Sequence, residues 1–211
     1  MADLTLYLAS EGAAPHDCAY SASWEGTAGA AHLPATTTLG SIAIAWRNCT
    51  RNSGGYDGCG GQWVSPAQSA RSWTTADTFD IAIHTYDDNG SGGTTLYLVV
   101  RIFNAAGDTV VGTLYDGVIN AVNWVGALTS RHADGVAVQN NVDMPENGHI
   151  VVEIGMHDTY AATFGNKIYC GETGVNGPIP LSDADTDSAK YPWIAFTYGA
   201  ASATNVVLNI I

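Results

Sequence analysis

The chain has 211 residues, 46% of them apolar, with 20 acidic side chains against 7 basic ones and a net charge of −13. Charged residues make up 13%, about half the usual ~25%, and glycine fills 24 positions, which excludes a disordered chain and a coiled coil. The basic residues are scattered with no two adjacent, so no basic stripe exists to displace counterions, and neither nucleic acid nor an anionic membrane surface is expected as a partner.

Period-two alternation marks strands along the chain. In 4–9, Leu4, Leu6 and Leu8 oppose Thr5 and Tyr7. Segment 41–47 puts Ile42 and Ile44 on one face. In 79–86, Phe79, Ile81 and Ile83 oppose Asp80, Ala82 and His84. In 94–103, Leu96, Leu98, Val100 and Ile102 oppose Tyr97, Val99, Arg101 and Phe103. In 149–157, Ile150, Val152, Ile154 and Met156 oppose Val151, Glu153, Gly155 and His157. Shorter candidates at 109–115, 135–139, 167–170, 193–198 and 205–211 bring the total to about ten strands. Between them lie Asp87-Asp88-Asn89-Gly90, Asn104 to Asp108, and Pro145 to Gly148, where Asn, Asp and Gly supply turn geometry. Helical periodicity is confined to 118–128, which fits a short helix or an irregular crossover equally well.

Many short strands with hairpin turns and no βαβ pattern predict one all-β domain over 1–211, an antiparallel β-sandwich of jelly-roll-like form. Outward positions are often Thr, Ala, Tyr or Val and seldom Lys or Glu, so the edges carry little protective charge. The last residues include Val206, Val207, Leu208, Ile210 and Ile211. An apolar strand there has to pack within its own sheet or against a neighbouring chain. Both readings stay open, and these residues are the candidate interface.

The opening MADLTLYLAS has no positive region and no apolar block, so no signal peptide is expected, and no apolar run is long enough for a membrane span. A protein made in a cytoplasm without secretion follows. Of the four cysteines, Cys18, Cys49, Cys59 and Cys170, none forms a CxxC pair. A Cys49–Cys59 disulfide would close a short loop. The competing reading is four reduced, mostly buried thiols.

Chemistry-bearing motifs are sparse. GxSxG, a P-loop and HExxH are all missing. Glu153 and Asp80 each stand alone on their strands, where a glycosidase needs two carboxyls. No enzyme and no obligatory cofactor is expected. Asp183, Asp185 and Asp187 alternate in one loop and are the candidate ligands for Ca²⁺, although the glycine and distal Glu of an EF-hand loop are missing. Trp63, Trp73 and Trp124 lie near turns and are candidate platforms for a sugar ring, with burial in the core or at an interface the competing reading, whereas Trp46 and Trp193 fall in strand patterns and read as core.

The opening strand, the run from Tyr20 to Gly29, Gln62-Trp63-Val64-Ser65-Pro66, Gly112 to Gly117, and Gly148 to Gly155 together resemble a loose group of β-rich structural proteins of tailed bacteriophages. The resemblance spans most of the chain through strand patterns and Trp and Gly positions. It implies a non-enzymatic virion component, most simply an exterior accessory subunit such as a capsid decoration or fibre. Its expected partners are other virion proteins and further copies of itself. The alternative is a carbohydrate-binding, receptor-recognising sandwich.

Overall fold

The computed structural model describes residues 3–9, 12–27, 30–38, 45–50, 56–87, 93–159, 165–170, 178–186 and 190–198. Among them are thirteen strands and no helix. The strands are β1 (Leu4–Leu8), β2 (Ala31–Thr36), β3 (Ala45–Thr50), β4 (Tyr56–Val64), β5 (Arg71–Trp73), β6 (Thr78–Asp87) and β7 (Thr94–Phe103). There follow β8 (Val110–Asn120), β9 (Thr129–Ala137), β10 (Val142–Met144), β11 (His149–Asp158), β12 (Gly165–Cys170) and β13 (Trp193–Thr197).

Hydrogen bonding runs along one path, β3-β12-β6-β13-β1-β2-β4-β11-β7-β8, with β9 also on β6 and a separate β5–β10 pair. The path turns over at β2. Ala31 to Pro34 run parallel to residues 61–64 of β4, whereas Ala35 and Thr36 pair antiparallel with β1. One strand therefore serves both layers, and the result is an all-β, sandwich-like fold.

The alternation in the sequence decides what lies between the layers. Leu6, Leu8, Phe79, Ile81, Ile83, Ile194 and Phe196 come from one side. Leu96, Leu98, Val100, Ile102, Ile150, Val152, Ile154 and Met156 come from the other. All are fully buried, each stabilising the fold by roughly 1.5–3 kcal/mol relative to exposure.

Several sequence expectations need correction. Among the described residues the strands number thirteen against about ten expected, and one pair, β2–β4, is parallel within the expected antiparallel sandwich. The extra strands include β2, with Pro34 inside it, and the glycine-rich β4; proline and glycine weaken a strand signature that tertiary pairing overrides. Of the two readings of 118–128, the helix gives way to the irregular one: Val118 to Asn120 finish β8 and the chain then runs as a loop. Residues 205–211, and with them Val206, Val207, Leu208, Ile210 and Ile211, lie outside the described residues.

Candidate functional site

The outer face of the β4–β11–β7 layer is covered by residues 12–27. Cys18 packs on Val64, Phe103 and Val151, and Trp24 on Cys59 and Val99. Gly155 makes room for this strap, since a Cβ there would lie 2.1 Å from the Gly58 carbonyl oxygen and 2.7 Å from Trp24 Cζ3. Beneath the strap sits Glu153, fully buried. It accepts hydrogen bonds from Trp24 Nε1 (2.6 Å), Gln62 Nε2 (2.8 Å), the Ser21 backbone N–H (3.1 Å) and Arg101 Nη2. Arg101 also donates to the Ala19 carbonyl. A carboxylate this well supplied with donors and a countercharge serves to fasten the strap to the sheet.

The acidic loop acts as a second fastening. Asp183 accepts from His132 N–H (3.0 Å) and Asn120 Nδ2 (3.1 Å), and its Oδ1 lies 2.8 Å from His132 Nδ1. Asp185 meets Lys190 Nζ and His84 Nε2. The buried Arg131 guanidinium donates to the Ser130, Val122 and Asn123 carbonyls of the adjoining segments. Burial lowers its pKa, an effect the Asp183 charge opposes. Asp183 and Asp185 are thus engaged by different protein donors, where a Ca²⁺ site would have them converge, and Asp187 lies outside the described residues. Among those residues, no group of three or more His, Cys, Asp or Glu is placed to hold a metal.

For Trp63, Trp73 and Trp124 the core reading holds and the sugar-platform reading does not. Trp63, Trp73 and Trp124 are buried in the core, because their strands and loops turn the rings inward, where large aromatic area is worth most. None offers a ring face to a sugar. Trp193, expected in the core, is half-buried on the outer face of its layer. The Trp46 side chain lies outside the described residues. Cys18 and Cys59 are buried, and the Cys49 side chain lies outside the described residues.

Exposed apolar side chains gather along β8 and the loop that continues it. Val110, Val111, Val118, Val122 and Val125 are each 40–47% exposed. Among the described residues, strand β8 ends the hydrogen-bonded path, pairing in its sheet with β7 alone. Its centre is partly sealed: Gln139 N–H donates to the Leu114 carbonyl at 2.7 Å, Asp116 N–H to Gln139 Oε1 at 3.0 Å, and Asn140 Nδ2 to the Thr113 carbonyl at 2.9 Å. The strand carries one acid and no Lys or Arg, the usual guards of an edge. The sequence pattern splits this stretch between a strand and a helix, so its apolar residues do not read as a surface.

No protein-family model matches the chain, and no curated protein matches it. Among solved structures, a CocE/NonD family hydrolase from Staphylococcus aureus is similar over 93% of this chain and 34% of its own, at 9% identity and TM-score 0.33. The structure of infectious bursal disease virus, Gx strain, is similar over 80% of this chain and 40% of its own, at 13% identity and TM-score 0.25. The chain spans about a third of the length of that hydrolase.

Proposed function

We propose that the chain is a non-enzymatic structural subunit of a bacteriophage virion, an exterior accessory protein such as a capsid decoration or fibre. It joins copies of itself and other virion proteins along β8 and the loop 121–128. The observation that carries this reading is the set of exposed valines on a sheet edge without basic guards. Isolated exposed apolar residues are ordinary, but several along one partly sealed edge and its continuing loop mark a contact surface. The net charge of −13 suits a position facing away from packaged nucleic acid.

The test is light scattering coupled to size-exclusion chromatography, together with cosedimentation on phage particles. The wild type should form oligomers or bind particles. Replacing Val110, Val118 and Val122 by Ser should abolish both while leaving the circular dichroism of a β protein. A wild type that stays monomeric and ignores particles overturns the reading.

A further inference from the structure

On the outer face of the β1–β13–β6 layer is a cleft of about 290 Å³, lined by Thr5, Tyr7, Asp80, Pro178, Trp193 and Ala195. Strand register builds it. Thr5 pairs with Ala195, and Ala195 with Asp80, so two small side chains lead across three strands to a carboxyl. Tyr7 pairs with Trp193 in the next outward-facing row. Both rings are held in place. Trp193 Nε1 donates to the Ile179 carbonyl at 2.7 Å. Tyr7 meets Tyr191 edge-on at 5.1 Å.

The far end of the cleft is set by a bulge between β6 and β9, where the register shifts between Phe79 and Ile81. Gly135, at φ +61°, takes the left-handed conformation that bulges of this kind assign to glycine. Its N–H donates to Asp80 Oδ1 at 2.7 Å. Asp134 lies on the same bulge, beside Asp80.

The polar atoms narrow the choice of ligand. The lining contains one carboxyl, Asp80, and no basic side chain, which favours a cation as ligand. Hydrogen-bonding capacity is small, because Trp193 N–H already has a partner and the lining beyond Thr5, Tyr7 and Asp80 is apolar. A sugar ring presents hydroxyls on every side and a primary ammonium three N–H donors around its charge, whereas most of this lining is aromatic or apolar. A methylated ammonium brings none: its charge sits against aromatic rings and a carboxylate, and its methyls against apolar lining. The volume lies just under the ~300–1,000 Å³ of sites for drug-sized molecules, which suits a headgroup. We propose that the cleft formed by Tyr7, Trp193 and Asp80 binds a quaternary ammonium group.

This inference is independent of assembly along β8, which lies in the other layer. The probe is choline, titrated beside its neutral isostere in which a tert-butyl group replaces the trimethylammonium, with binding followed by calorimetry and by the Trp193 indole resonance. Choline should bind saturably and shift that resonance, and the isostere should bind about tenfold more weakly or less. Asp80→Asn and Trp193→Phe should each weaken choline, and Val122→Ser should not. Equal binding of the isostere, saturable binding of a hexose in place of choline, or no choline binding at tens of millimolar overturns the proposal. Retention of choline affinity in a correctly folded Asp80→Asn protein overturns it as well.

Discussion

Arg101 on β7 and Glu153 on β11 form an ion pair on the outer side of their layer, and neither is open to water, with side-chain exposures of 7% and 0%. They are not equivalent. Glu153 also receives Trp24, Gln62 and Ser21, whereas Arg101 has, besides Glu153, the Ala19 carbonyl. Glu153→Leu therefore strands a buried cation and three donors, while Arg101→Met leaves a carboxylate that keeps three donors. Breaking such a pair costs about 3–5 kcal/mol, and Glu153→Leu should lie at or above that range, with Arg101→Met below it. Urea denaturation of the two variants checks this, and equal losses would show that the pair, without its surrounding donors, sets the cost.

What the sequence made readable, and what it did not, divides along this same surface. The inward rows of β6, β7 and β11 follow from alternation alone, because one face of each strand is continuously aliphatic. The opposite row of β11, with Val151, Glu153 and Gly155, reads as outward-facing but not as buried. Its covering strap at 12–27 has no regular periodicity and is defined by where Cys18 and Trp24 land. The cleft was hidden for a related reason. Asp80 looks solitary on its strand, and its partner Asp134 reaches it only through the β6–β9 pairing. In the acidic loop the carboxylates were legible but their donors, His132, Asn120 and His84, come from distant strands.

Two glycines separate steric from conformational cost. At Gly155 a Cβ would meet the Gly58 backbone oxygen at 2.1 Å, and backbone in a paired strand has little room to retreat. Gly155→Ala should destabilise by about 3 kcal/mol and loosen the strap, seen as faster amide exchange in residues 18–24. At Gly135 nothing lies within 4 Å of a built Cβ, but φ is +61°. Gly135→Ala should cost about 1–2 kcal/mol, and Gly135→Asn less, since Asn tolerates that conformation. A reversed order in chemical denaturation would refute this assignment.

Burial beneath the strap pushes the Cys18 thiol up to about 11, with Arg101 lowering it and Glu153 and Asp17 raising it. At about pH 8 the thiolate, the reactive form, is scarce and shielded. Cys18 should resist iodoacetamide in the native protein and label readily in urea, as peptide mapping would show. In Glu153→Leu the strap is less firmly held and native labelling should accelerate. Labelling of native wild-type Cys18 at the unfolded rate would mean that the strap does not cover it.

The Asp80 carboxyl titrates above the ordinary carboxylate range, chiefly because it is partly buried and further because Asp134 bonds to it and repels its charge; the Gly135 N–H opposes the shift. Since the folded protein holds this proton more tightly than the unfolded chain, the contribution to stability is fully present below the unfolded pKa. It is lost as pH rises through the raised native value. Asparagine at this position keeps an oxygen for Gly135 and never ionises. The melting temperature of Asp80→Asn relative to wild type should therefore increase between about pH 3 and about pH 7. Asp134→Asn, which removes the neighbouring charge, should shift the wild-type transition toward lower pH. A difference between Asp80→Asn and wild type that stays constant with pH would show that Asp80 titrates alike in the folded and unfolded chains.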